Sequence, residues 1–129
     1  PPRAADPATD GDALAARLLA YLAQERPYRD EGLTIAALAA RLGEQEYRLR
    51  RTINQSLGYR NFAQFLNAQR LAEVKAALAD PAQREVPILT IALDAGFGSL
   101  GPFNRAFREA EGKTPSEYRA SALADSEIG

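Results

Sequence analysis

The sequence predicts an all-α fold of about seven helices, with two helix-turn-helix units joined by one long linker helix. Three observations carry this. Arg60 to Asp80, RNFAQFLNAQRLAEVKAALAD, is an unbroken helical stretch with six large apolar residues and six alanines. On either side of it the same order recurs: a short Ala/Leu helix, a glycine, then a helix bearing arginines. Nowhere does the pattern make a convincing strand.

Composition bounds the function. At 129 residues the chain is one domain, or two small ones sharing the long helix. Hydrophobic residues make up 46%, enough to bury a core. No apolar run approaches the roughly 18 residues that span a bilayer. Cys and His are absent, which excludes disulfides, thiolate chemistry, the usual general base and the commonest metal ligands. No metal or cofactor is expected. Met is absent even at position 1, so a fragment or trimmed chain is expected, and a targeting signal cannot be assessed.

The net charge is only −1, but its distribution is uneven. Residues 41–75 carry +4, from Arg41, Arg48, Arg50, Arg51, Arg60, Arg70 and Lys75 against three acids. Local charge sets an electrostatic footprint, and here it forms one cationic block in a near-neutral chain.

In chain order, residues 1–12 hold three prolines and little to bury, and are expected to form a disordered linker. Residues 13–58 form the first unit. Asp10 or Asp12 caps a helix with an apolar face of Leu14, Leu18 and Leu22, together with Leu19 and Tyr21, ending at Pro27. Thr34 caps a short helix that turns Ile35, Leu38 and Leu42 inward. Gly43 makes the turn. Glu46 to Leu57 is the next helix, with Leu49, Ile53 and Leu57 as its buried stripe, so Tyr47, Arg50, Arg51 and Asn54 face away. Gly58 supplies a left-handed stop.

The linker helix, 61–80, starts at an Asn61/Gln64 capping box and ends at Asp80-Pro81. The second unit spans 87–122. Pro87 opens a short helix with Ile88, Ile91, Ala92 and Ala95 inward, and Gly96 makes the turn. Ser99 caps a helix that buries Phe103 and Phe107 and leaves Asn104, Arg105 and Arg108 outside, with Pro102 tolerated in the first turn. Gly112 ends it. Thr114-Pro-Ser-Glu117 is a capping box with Pro at the first helical position, starting a closing helix. Residues 123–129 are expected to fray.

A short helix bracing a second one across a glycine turn is the helix-turn-helix layout, whose second helix can enter a major groove about 12 Å wide. One copy is weak evidence, since helix–Gly–helix occurs in any bundle; two copies with arginines on both second helices say more. Arg50 and Arg51 can grip guanine bidentately, or form a solvated face in which Glu46 pairs with Arg50. Tyr47 can touch a thymine methyl or cover the core edge. Asn104 and Arg105 carry the same two readings. The helix starts at Asn61, Ser99 and Thr114 offer free N–H groups to phosphate, as every helix start does. Arg48, Arg60, Arg108 and Ser116 complete the phosphate candidates. Catalysis is not expected: Glu44/Glu46 and Glu109/Glu111 diverge on a helix, and Gly96-Phe-Gly98 lacks the lysine of a phosphate loop.

From about Leu33 to Arg119 the chain resembles the DNA-binding domain of AraC/XylS-type transcription regulators. The specific part is I-A-x-x-x-G-F-x-S-x-x-x-F-x-R-x-F, here Ile91-Ala92, Gly96-Phe97, Ser99, Phe103, Arg105 and Phe107, continuing as G-x-T-P-S-x-Y-R from Gly112 to Arg119. The resemblance implies two helix-turn-helix units binding successive major grooves of double-stranded DNA. It places base-facing positions on Tyr47, Arg50 and Arg51, and on Leu100, Gly101, Asn104 and Arg105. Leu100, Gly101 and Pro102 offer no side-chain hydrogen bonds, so the second unit is expected to read few bases. Two further departures are Thr52-Ile53-Asn54, where an aromatic is commoner, and Glu44 or Gln45, where a Ser cap is usual.

The resemblance further implies a cytoplasmic, nucleoid-associated bacterial regulator that can contact RNA polymerase, monomeric as this fragment and dimeric through the rest of its parent. The wording LGYRNFxxFLNxxR is shared with a subgroup whose preceding part is often membrane-spanning, so a membrane-anchored parent is a further expectation; the fragment itself makes no membrane contact. The alternative function is a helical protein-interaction module whose basic face meets an acidic partner.

Overall fold

The computed structural model describes residues 7–128, with side chains from 11 to 126. Among the described residues the fold is all-α, as expected: α1 (Pro7–Glu25), α2 (Ile35–Leu42), α3 (Glu46–Arg51), α4 (Phe62–Leu78), α5 (Ile88–Asp94), α6 (Leu100–Glu111) and α7 (Pro115–Ile128). The chain divides into two compact units, the first ending at Leu66 and the second starting at Asn67. The division falls inside α4, so the long helix is shared between the units rather than standing apart from them.

In the first unit, Leu18, Leu22, Leu38, Leu49, Ile53 and Phe65 form a core in which none is more than 3% exposed. The inward stripe is as its spacing predicts, although only Leu49 lies on α3: the buried Ile53 and the half-buried Leu57 follow beyond its end. Thr34 caps α2 by accepting from the Ala37 N–H at 3.1 Å. Gly43 takes the left-handed φ of 67° that ends α2 and turns the chain into α3. Beyond Arg51 the helix widens into a π turn, Thr52–Ser56, closed by the Leu57 N–H donating to the Thr52 carbonyl at 3.0 Å.

Three expectations for this unit need correction. The linker does not reach Asp12, because α1 already begins at Pro7; Pro suits a first helical position, where its missing N–H would find no partner. Asp10 and Asp12 thus lie within α1 rather than capping it, while residues 1–6 fall outside the described residues. Leu19 is 45% exposed, since a helix turns about 100° per residue and Leu18 and Leu22 already hold the inward direction. Helix α1 ends before Pro27 through Arg26, which adopts the left-handed conformation (φ 49°) and donates its N–H to the Leu22 carbonyl.

The second core is aromatic. Phe103 and Phe107 are fully buried, and their rings link Phe97 at one end (centroids 5.1 Å) to Tyr118 of α7 at the other (5.5 Å). Leu71, Val74 and Leu78 of α4 and Ile91, Ala92 and Ala95 complete it. Asp80 does not end α4 directly: the helix stops at Leu78, and Asp80 caps the 3-10 turn Pro81–Gln83 by accepting from the Ala82 N–H at 3.0 Å. From α7, Arg119 donates to the carbonyls of Val86 (2.7 Å) and Gln83 (3.4 Å), tying this helix to the segment before α5. The tail expected to fray from 123 is helical to Ile128. Ala122, Leu123 and Ala124 favour helix, and no Gly or Pro interrupts before Gly129, which lies outside the described residues.

Candidate nucleic-acid interface

Burial of Leu49 and Ile53 fixes the phase of α3 and so decides what its outer face presents. Tyr47 is 62% exposed, and Arg50, Arg51 and Asn54 are exposed with it. Arg50 donates to Glu46 at 2.8 Å, one helical turn away. Among the described residues no acid pairs with Arg51. Arg48 sits on the flank and is half-buried, 3.6 Å from Glu44.

Glu44 has a second cation. Arg17 of α1 reaches it at 3.3 Å and also donates to the Leu42 carbonyl at 2.7 Å. One arginine thereby covers the C-terminal end of α2 and braces the turn that aims α3. Sequence reasoning missed this group. The Glu44/Arg48 spacing of i, i+4 was its only readable sign, since Arg17 lies 27 positions away. Helix α3 itself has no side-chain cap at Gln45, in line with the missing Ser.

The three helix starts differ. At α4 the Asn61 side chain accepts from the Gln64 N–H (2.8 Å), and the Gln64 side chain takes the Arg60 N–H (2.6 Å), one residue earlier than a standard capping box. At α7 the box is reciprocal: the Glu117 N–H donates to the Thr114 hydroxyl (3.1 Å) and the Thr114 N–H to the Glu117 carboxylate (2.8 Å). The Thr114 N–H, and after it the Thr114 hydroxyl, hold the Glu117 carboxyl below its ordinary pKa. Ser99 departs from expectation. It occupies the cap position of α6 in extended backbone, but its side chain makes no capping bond, so its hydroxyl is not committed to the helix.

On α6, Asn104, Arg105 and Arg108 are exposed opposite Phe103 and Phe107. Asn104 and Arg108 line a groove of about 450 Å³ with Ile88 and Leu89 of α5, Leu100, and Thr114, Pro115 and Ser116 at the start of α7. Four of the candidate side chains therefore meet in one place: Asn104, Arg108, Thr114 and Ser116. Arg105 and Ser99 lie outside this lining. Among the described residues, no three His, Cys, Asp or Glu side chains group to hold a metal ion, and no helix is long and apolar enough to cross a membrane.

Two buried-core units, each presenting an exposed polar face on the second helix of a helix–turn–helix, define a helix-turn-helix protein of the DNA-binding class. Comparison with known proteins makes this specific. The family described as "Helix-turn-helix domain" matches residues 38–121. The chain belongs to this AraC/XylS-type helix-turn-helix family, a family of transcription-regulator DNA-binding domains rather than an enzyme class. It is 34% identical over 93 residues to the transcriptional regulator Rob of Salmonella typhimurium, covering 72% of this chain and 31% of that protein. It is 35% identical over 92 residues to the right origin-binding protein of Escherichia coli K12, covering 71% and 30%. The chain thus spans less than a third of the length of these relatives. Among solved structures, the C-terminal domain of AraT, a response regulator from Geobacillus stearothermophilus, has a TM-score of 0.68 at 28% identity, over 83% of this chain and 84% of that one. A DNA-binding transcriptional dual regulator from E. coli K-12 shares the fold at 19% identity, with a TM-score of 0.69 over 85% and 92%.

Proposed function

We propose that the chain binds double-stranded DNA sequence-specifically, as the DNA-binding part of a bacterial transcription regulator. In this reading α3 and α6 enter successive major grooves. The observation that carries it is the outer face of α3, where Tyr47, Arg50 and Arg51 stand exposed on a helix whose opposite side is locked into the core by Leu49 and Ile53. Arg50 and Arg51 have the fork geometry that matches guanine, and Tyr47 lies a turn earlier. In α6 the readers are Asn104 and Arg105. Phosphate contacts fall to Arg48, Arg60, Asn61, Ser99, Arg108, Thr114 and Ser116, which position the domain without reading sequence.

The same reading puts the parent protein on DNA in the cytoplasm, able to contact RNA polymerase and to dimerise through its other parts; a membrane-anchored parent is a separate proposal that rests on the LGYRNFxxFLNxxR wording alone.

The second reading, a helical protein-interaction module whose basic face meets an acidic partner, draws on the near-neutral net charge of −1. A gel shift on generic duplex across a salt series separates the two. Phosphate-driven binding weakens steeply with salt, and a single module of this charge is expected to bind at about micromolar or weaker at physiological salt. Absent or salt-independent binding overturns the DNA reading.

A further inference from the structure

The first turn of α6 is Leu100, Gly101 and Pro102, with no hydrogen-bonding side chain among them. Leu100 is 40% exposed although it lies seven residues before the fully buried Phe107, on nearly the same line along the helix, so it stands at the first-turn end of the buried stripe with its side chain still open to water. Counting by fours, Leu100, Asn104 and Arg108 form one stripe along the groove, and with Leu89 of α5 Leu100 supplies part of its apolar wall. Gly101 keeps the neighbouring surface low. A Cβ added there would stand 3.6 Å from the Arg105 guanidinium, which therefore reaches back along the helix to the first turn.

Recognition helices offer their N-terminal residues to base edges, and the apolar feature that a base edge displays in the major groove is the 5-methyl group of thymine. An isobutyl group held in water at that end of the helix has a partner of matching chemistry there. We propose that Leu100 is a specificity-determining residue that reads thymine through its 5-methyl group, so that the second unit selects A·T pairs by apolar contact rather than by hydrogen bonds. This assignment rests on the DNA-binding reading above.

The test removes the methyl and nothing else. A preferred duplex is selected with the full chain, and each thymine is then replaced in turn by deoxyuridine. Affinities are measured for wild type, Leu100→Ala and Asn104→Ala. At one or two neighbouring positions the replacement weakens wild type about three- to fivefold, the worth of one methyl group returned to water. Leu100→Ala abolishes the loss at those positions and leaves every other position unchanged, whereas Asn104→Ala retains it; such coupling isolates the contact from any general loss of affinity. Leu100 is not a core residue, and an unshifted thermal melt confirms that its truncation leaves the fold intact. The assignment is overturned if no thymine responds in wild type, or if the responses persist in Leu100→Ala. A wild-type chain that binds no duplex at any salt overturns the DNA reading as well; binding without methyl sensitivity overturns this assignment alone.

Discussion

Glu46 holds Arg50 at 2.8 Å across one turn of α3, so the arginine proposed above as a base reader is already paired in the free chain. The side chains are 54% (Arg50) and 47% (Glu46) exposed, and water screens such a pair to about 0.3–0.5 kcal/mol. A guanidinium carries five N–H donors, so Arg50 can turn to a base or phosphate at little cost. The carboxylate, however, meets an approaching phosphate backbone as a like charge. If α3 meets DNA as proposed, the pair therefore lowers affinity for all duplexes while keeping the side chain in order.

Glu46→Gln should strengthen binding to any duplex by about twofold at low salt, which is the worth of the pair that no longer competes. Stability should move by less than about 0.5 kcal/mol. Fluorescence anisotropy and a thermal melt report both. An unchanged or weakened affinity would place Arg50 away from the DNA.

The second core should be far less forgiving. Phe103 and Phe107 are fully buried and sit in a run of ring contacts from Phe97 to Tyr118. Truncating either to Ala removes apolar surface and leaves a cavity, at about 3–5 kcal/mol each. Denaturant melts should show Phe103→Ala and Phe107→Ala losing the second unit first, since neither ring belongs to the first unit's core. Unmoved transitions would mean that the rings are not the keystone that their burial indicates.

What the chain disclosed in advance was what it encodes locally. The Thr114/Glu117 box spans three positions, and both of its hydrogen bonds form as read. The glycines at 43, 58, 96 and 112 all take positive φ, because those turns need a conformation that side chains resist. Phe103 and Phe107, four apart, fall on one buried stripe. Long-range features were not legible. Arg17 finds Glu44 and the Leu42 carbonyl only once α1 lies against α2, and no periodicity announces that. Leu19 was misplaced because adjacent leucines look alike in a pattern, whereas packing chooses between them. The groove between α5, α6 and the start of α7 collects residues from 88 to 116 and could not be seen as one place.

Acid should loosen the second unit through its caps. Glu117 is held below its ordinary pKa chiefly by the Thr114 N–H, then by the Thr114 hydroxyl; Asp80 is lowered by the Gln83 side chain and then the Ala82 N–H. A carboxyl whose folded pKa is depressed contributes stability that is fully present above its unfolded value. That contribution is lost as pH falls through the folded value. The window therefore opens below about pH 4.3 for Glu117 and about pH 3.9 for Asp80. Glu117→Gln can still accept from Thr114 but cannot titrate. Its melting temperature should fall less than that of wild type between neutral pH and pH 3, and equal falls would show that this cap plays no part in acid sensitivity.

The division of labour between the units is the sharpest point to test. The first unit presents Arg50 and Arg51 in the +4 block, with Tyr47 exposed beside them. The second presents Arg105 and Asn104 behind a Leu-Gly-Pro turn that has nothing to donate. Bidentate arginine–guanine contacts discriminate by about 1–3 kcal/mol, whereas phosphate contacts weaken all sequences alike. Arg50→Ala or Arg51→Ala should therefore relax base preference in one half of the site, over the positions that α3 faces. Arg105→Ala should touch fewer positions, about 34 Å along the axis, one turn of DNA away. Selection from random duplexes, with wild type beside each variant, reads both effects at once. If Arg50→Ala and Arg51→Ala leave the preferred sequence unaltered while lowering affinity throughout, the basic face of α3 grips phosphates only, and α6 is the reader.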